Sequence, residues 1–205
     1  MISRRNCLGA LLGAPALGLV AQPVHAAGQA EEPLADSVRT ALSSAISRAA
    51  PPVPTFANPE AEAAHKRWLA SMSDRLKPKK TDEQIREEFL QSVWYESRRA
   101  GLDTSLVLGL IQVESNFRKF AISSAGARGY MQIMPFWTRV LADGDAGRLF
   151  HMQTNLRFGC VILRHYLDRE RGDLFMALGR YNGSRGQAAY PNAVLGARQR
   201  WVLPA

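Results

Sequence analysis

Apolar residues along this chain recur at three- and four-residue spacing, and no segment alternates with the period of two that a half-buried strand needs. The pattern predicts an all-helical fold. Leu34, Val38 and Leu42 fall at four-residue steps, and Pro51, Pro52 and Pro54 follow. Residues 27–58 therefore read as a linker arm, flexible and partly helical, whose short helix is marginal by itself. Asn58-Pro59-Glu60 combines a cap residue, a proline in the first position and an acid in the first turn. Trp68, Met72 and Leu76 then form a packing stripe that Pro78 ends.

Thr81-Asp82-Glu83-Gln84 fits a capping box, with Ile85, Phe89 and Val93 on one face and Gly101 at the far end. Asp103 caps the next helix, whose apolar positions are Leu106, Val107, Leu110, Ile111 and Val113. Two steps of four from Leu106 pass through Leu110 to Glu114, so this carboxylate lies in line with the buried stripe. Burial disfavours the ionised form and raises a carboxyl pKa. Ser123 to Gly129 is a turn-rich loop, and an element built around Phe136, Trp137 and Val140 begins at Met134-Pro135. Asp143-Gly144-Asp145 with Gly147 is another turn. Helices are expected over Asn155–Asp168, from the Asp173 cap to Tyr181-Asn182-Gly183, and roughly from Pro191 to Arg200.

A length of 205 residues with 46% hydrophobic content supports one packed domain plus an extension. The net charge of +8 suits an anionic partner such as nucleic acid, a membrane surface or an acidic cell-wall polymer. The basic residues are scattered, with a run only at Lys77, Lys79 and Lys80, which reads as a solvated face rather than a nucleic-acid patch. Arg4 and Arg5, the apolar stretch Leu8 to Val20 and the small-x-small site Val24-His25-Ala26 predict an export signal over residues 1–26. The apolar stretch is too short for a membrane span, so none remains after cleavage near Ala26. Ser3-Arg4-Arg5 with Leu8 is a partial twin-arginine pattern that Cys7 interrupts, which leaves both export routes open. Cys160 then stands alone, which excludes an intrachain disulfide. His65, His151 and His165 lack metal-ligand spacing, and neither metal nor cofactor is expected.

Four segments carry a resemblance. Glu114-Ser115-Asn116-Phe117 with Ala121, Ser123, Gly126 and Ala127 comes first, followed by Gly129-Tyr130-Met131-Gln132-Ile133-Met134-Pro135. Asn155 to Leu167 with Gly159 and Tyr166 is the third, and Ala177-Leu178-Gly179-Arg180-Tyr181-Asn182-Gly183 the fourth. In this order they resemble the catalytic domain of soluble lytic murein transglycosylases, of the lysozyme-like superfamily. The resemblance covers about residues 100–200, inside a catalytic domain expected over residues 59–205. Tyr130 stands where the family usually has Leu, at a wall of the cleft. Gly183-Ser184-Arg185-Gly186 departs from the family's usual loop.

The resemblance implies an enzyme of the periplasm that cuts the β-1,4 bond between N-acetylmuramic acid and N-acetylglucosamine in peptidoglycan. The muramic C6 hydroxyl attacks its own anomeric carbon and leaves a 1,6-anhydro end. An intramolecular nucleophile has a high effective concentration, so one acid suffices. Glu114 would donate the proton and later act as base. By carry-over Ser123, Gln132, Met134 and Tyr181 would line the sugar cleft, with Ser115 and Asn182 orienting the acid or the wall. Ser and Gln would hydrogen-bond the sugar, while Met and Tyr would pack on its faces. Asn155 reads as a helix cap.

Two other readings compete. A hydrolytic muramidase would use Asp143 or Asp145 as second carboxylate. A non-catalytic peptidoglycan-binding module would serve a secretion or pilus machine.

Overall fold

The computed structural model describes residues 29, 31–34, 36–47 and 54–203. The expected export signal with Cys7, its cleavage point, and Pro51 and Pro52 of the linker lie outside the described residues. Within them run α1 (Asp36–Ser47), α2 (Pro59–Leu76), α3 (Glu83–Arg99), α4 (Thr104–Ser115), α5 (Phe136–Leu141), α6 (Met152–Arg169), α7 (Leu174–Asn182) and α8 (Ala189–Arg198). Short 3₁₀ turns cover Ala146–Phe150 and Gln199–Trp201. The only strand-like pairings among the described residues are two isolated bridges, Ile122 to Arg128 and Arg128 to Ile133. The fold is all-α, and none of the described helices is long and apolar enough to cross a membrane.

The caps form largely where the sequence places them. Asn58 Oδ1 accepts from the Ala61 amide at 2.8 Å, and Asp103 Oδ1 from the Ser105 amide at 2.9 Å. At α3 the cap is Asp82 rather than Thr81, with its Oδ1 accepting from the Ile85 amide at 2.9 Å. Ile85 itself is half exposed, unlike Phe89 and Val93. The inner position of that first turn belongs to Arg86. Its buried guanidinium donates to Ser73 Oγ at 2.7 Å and to the carbonyls of Lys80 and Thr81, so it clasps the α2–α3 connection.

The core gathers around α4, where every residue from Ser105 to Ile111 is buried. A helix apolar on all sides belongs in an interior. α8 lies along it, fastened by Arg198 Nη2 to Asp103 Oδ2 at 2.5 Å and by Trp201 Nε1 donating to Gln112 Oε1 at 2.9 Å. α6 supplies the second buried axis with Leu156, Phe158, Ile162 and Leu163.

The described part of the arm is docked, where the sequence predicted a marginal helix in a flexible tether. Leu42 and Ile46 of α1 join the core, and Leu34 and Val38 pack at its edge. Arg99 Nη2 donates to the Ala45 carbonyl at 2.8 Å and Arg157 Nη1 to the Ile46 carbonyl at 3.3 Å, which satisfies orphan acceptors at the helix end. Ahead of α1, Trp137 Nε1 donates to Gln29 Oε1 at 2.8 Å, and Glu32 pairs with Arg169 and Arg180. These contacts stabilise a helix that its own propensity would not hold.

Candidate active site

Glu114 occupies the last turn of α4, and the chain leaves the helix abruptly behind it. Asn116 and Phe117 are both left-handed, at φ 48° and 64°. A bulky aromatic pays for that conformation, and such strain collects where function fixes the backbone. Here burial holds it: the Phe117 ring is 5.1 Å from Trp201 and 6.0 Å from Phe89. The reversal folds residues 118–135 back along the helix, and Ser115 Oγ donates to the Tyr130 carbonyl at 2.7 Å to close the return.

Asn155 then bolts this loop down. It lies inside α6 rather than at its start, because that helix begins at Met152. Its Nδ2 donates to the carbonyls of Arg128 and Leu149 at 2.8 Å, and its Oδ1 accepts from the Met131 amide at 2.8 Å. The expected cap is thus a tertiary fastener. Glycines make the close approach possible: a Cβ on Gly129 would stand 2.3 Å from Asn155 Nδ2, and one on Gly159 would stand 2.3 Å from Met131 Sδ.

The carboxyl of Glu114 meets little polarity. Oε1 accepts from Tyr190 Oη at 2.5 Å, and Oε2 is sealed from solvent with no hydrogen-bond partner. Burial pushes its pKa up to about 8, and the Tyr190 hydrogen bond works the other way by favouring the anion. No charged neighbour contributes to that shift. The result is a carboxylic acid that keeps its proton at neutral pH while one oxygen is held in place by a phenol.

The other expected site residues divide by what already occupies their polar atoms. Gln132, buried and left-handed at φ 49°, donates through Nε2 to the carbonyls of Gly129 at 2.9 Å and Ala121 at 3.2 Å. Its amide hydrogens are spent on the loop. Tyr181 is buried, its hydroxyl donating to the Met131 carbonyl at 2.8 Å, and burial with the nearby Glu114 carboxyl raises its pKa well above the ordinary value. It stands beside the acid as a wall and has no open face for a sugar. Ser123 Oγ accepts from the Ala127 amide at 3.1 Å and closes the turn, yet the residue is only half-buried. Met134 is half-buried at the core's edge. Asn182 Nδ2 donates to Ser184 Oγ at 2.9 Å, while its buried Oδ1 has no partner.

Two expectations change. Tyr130 does not form an open cleft wall: its ring lies 4.8 Å from Phe89, and its hydroxyl accepts from Lys80 Nζ at 2.7 Å. The larger side chain is absorbed by the core beside α3. Asp143 and Asp145 line a separate cavity of about 450 Å³ with Ile46, Thr138 and Arg157, and Glu114 does not line it. Asp143 is bound by Arg148 at 2.5 Å, and Asp145 Oδ1 caps the 3₁₀ turn through the Gly147 amide at 2.8 Å.

Tyr190 is the partner of Glu114 that sequence reasoning missed. α8 begins at Ala189, two residues ahead of the expected start, which places Tyr190 in its first turn. It is 76 positions from Glu114, and no local spacing links the two. No group of three metal-ligating side chains converges among the described residues. Cys160 is buried, its thiol pKa raised by burial, as a structural cysteine.

Known proteins resemble parts of this chain in sequence. Membrane-bound lytic murein transglycosylase C of Mannheimia succiniciproducens is 50% identical over 48 residues, 23% of this chain and 13% of that protein. The transglycosylase of Enterobacteria phage PRD1 is 34% identical over 114 residues, 50% of this chain and 42% of that protein. An inactive mutant of the lytic transglycosylase Slt from Pseudomonas aeruginosa aligns in structure at 19% identity and a TM-score of 0.44, covering 68% of this chain and 27% of that one. The chain thus spans less than half the length of each of these relatives. The family model described as Transglycosylase SLT domain matches residues 92–202, more than half of the chain and all four motif segments, and the chain belongs to that family.

Proposed function

We propose that this protein is a peptidoglycan lytic transglycosylase that cleaves the β-1,4 bond between N-acetylmuramic acid and N-acetylglucosamine and leaves a 1,6-anhydromuramyl end. One observation carries the reading: the half-buried Glu114 has a carboxyl oxygen sealed from solvent and a pKa raised to about 8, with one hydroxyl partner among the described residues and no second carboxylate contributing to the shift. Protonated Glu114 donates to the glycosidic oxygen as the C1–O4 bond breaks. The carboxylate so formed is stabilised by the hydrogen bond from Tyr190 and takes the proton of the C6 hydroxyl as O6 bonds to C1. The proton lost from O6 is balanced by the one gained at O4, and no water is consumed. One carboxyl can act twice because the nucleophile belongs to the substrate.

Hydrolysis with two carboxylates lacks support, since Asp143 and Asp145 serve a turn beside a different cavity. A module that only binds has no use for an acid kept protonated at a cost in solvation. Ser123 and Met134, both half-buried, remain able to meet the sugar, and Asn182 has a spare acceptor. Gln132 and Tyr181 act through the shape of the loop and wall. A peptidoglycan substrate and the leader expected over residues 1–26 support a periplasmic location for the catalytic domain, residues 59–205.

Mass spectrometry of products from purified sacculi tests this. Anhydro ends are one water lighter than reducing ends. Reducing ends alone would establish a hydrolase instead.

A further inference from the structure

The arm ahead of α1 reaches the wall of the active site. Gln29 lies outside any helix and far ahead of the segments shared with the family, yet it is only 6% exposed. Its Oε1 accepts from Trp137 Nε1 at 2.8 Å. Its Nε2 is sealed from solvent and makes no hydrogen bond of ordinary geometry. That amide nonetheless stands near enough to the Tyr181 hydroxyl to favour the phenolate and offset part of the rise in its pKa. The same phenol donates to the Met131 carbonyl at 2.8 Å and feels the Glu114 carboxyl. One side chain therefore separates the arm from the acid.

A buried amide with an idle donor has given up the water it would otherwise bind, so its surroundings must hold it in place. Ion pairs from three helices do so. Glu31 lies 3.6 Å from Arg139 of α5, an exposed pair that adds little. Glu32 pairs with Arg169 of α6, and its Oε1 is 3.0 Å from Arg180 Nη1 of α7. Arg180 is mostly covered, is tied in turn to Glu170, and directly precedes Tyr181 in the chain. The indole that donates to Gln29 is fixed as well: Trp137 is buried, with its ring 6.3 Å from that of Tyr166.

We propose that Gln29 is a positioning residue of the active site: packed against the Tyr181 hydroxyl and anchored on Trp137, it holds that wall beside Glu114 and makes the arm part of the catalytic unit. The inference rests on the transglycosylase reading above and deepens it. A wall held from the arm as well as from the Met131 carbonyl keeps water from the acid, and exclusion of water is what lets Glu114 retain its proton. The titratable groups that face Glu114 among the described residues are Tyr190 from α8 and Tyr181 from α7. Burial lifts both phenols well above their ordinary range, and no charged group contributes to the shift of the acid. Its titration therefore reports how dry the wall is.

The test uses the full chain with Gln29→Ala, which empties the space, and Gln29→Met, which keeps the bulk without the amide. On purified sacculi, kcat is expected to fall about tenfold in Gln29→Ala with KM within about twofold, the scale of a misplaced wall beside the reacting bond. The second measurement needs no turnover: the Glu114 pKa is read by carbon-13 NMR of its side-chain carboxyl, assigned by its loss in Glu114→Gln. Water admitted beside Tyr181 lowers this pKa from about 8, so both it and the alkaline limb of the pH–rate profile move down in Gln29→Ala, and by less in Gln29→Met. An unmoved Glu114 pKa overturns the proposal even if kcat falls, because an arm that only adds stability would leave the acid alone. A faster Gln29→Ala enzyme also overturns it, since the arm would then be an inhibitor. If wild type does not cleave sacculi, the transglycosylase reading fails while the NMR titration still decides Gln29. Should Gln29→Ala not fold, Gln29→Met decides by the same titration.

Discussion

Glu96 on α3 and Glu114 on α4 both turn carboxyl oxygens away from solvent but receive different partners. Glu96 is fully buried, with Arg99 Nε 3.0 Å from Oε2 and Arg157 Nε 3.0 Å from Oε1. Glu114 has a tyrosine hydroxyl on one oxygen and nothing on the other. Glu170 extends the contrast to a third carboxyl, which Arg185 and Arg180 hold down to about 2 by hydrogen bonding and charge. Burial alone therefore does not set the role of a carboxyl. A guanidinium alongside keeps a charge and fastens helices together, whereas apolar surroundings keep a proton and make an acid. The α3–α6 seam holds a carboxyl between guanidinium groups, and the α4–α8 seam holds one against a phenol.

The strongest way to break this comparison is Glu114→Gln. We expect kcat on purified sacculi to fall about 10³-fold or more, the scale of a lost general acid, with the fold intact by circular dichroism. The same variant should alter stability against pH. Below about pH 4.5 both folded and unfolded chains hold the Glu114 proton, and between there and about 8 only the folded chain does. Unfolding then releases a proton, so this contribution to stability falls as pH rises through that window. Urea melts at several pH values should show the decline in wild type and its loss in Glu114→Gln. Glu170 acts in the opposite sense: its pairing supports the fold above about pH 4.5 and is lost as pH falls toward 2.

Glu96→Gln sharpens the other side of the contrast. Removing one partner strands the Arg157 and Arg99 charges, and we expect about 3–5 kcal/mol of destabilisation in urea titrations. Activity per folded molecule should be unchanged. Faster proteolysis of residues 36–47 is expected as well, since those two arginines also hold the end of α1.

Tyr190→Phe should have an intermediate effect. The hydrogen bond favours the carboxylate, so its loss raises the Glu114 pKa further and moves the alkaline limb of the pH–rate profile upward. The carboxylate formed after proton donation also loses its support, for about a tenfold fall in kcat. An unmoved alkaline limb would show that Tyr190 does not reach the acid.

The smallest change is expected from Tyr130→Phe. It removes the bond from Lys80 and should cost about 1 kcal/mol by thermal melt, with kcat/KM unaffected because that ring faces α3.

Much of this was legible along the chain, because the signals are local. Caps at Asn58 and Asp103, four-residue stripes, and the alignment of Leu106, Leu110 and Glu114 follow from helix geometry within a few turns. The first-turn exchange of Ile85 for Arg86 was not legible, since it depends on Ser73 in another helix. Tyr181 shows the same limit: the sequence suggested a ring open to sugar, yet the residue is buried with its hydroxyl on the Met131 carbonyl.

Residue spacing determined that the chain is helical, that Glu114 faces inward, and that the following loop is rich in turns. Tertiary packing decided that Tyr190 supplies the only hydrogen bond to this carboxyl among the described residues, that Asn155 pins the loop, and that α1 docks through Arg99 and Arg157. The physical reason is range. A helix repeats every 3.6 residues and records its own exposed and buried faces, while contacts across 76 or 111 positions exist only once the chain has closed on itself.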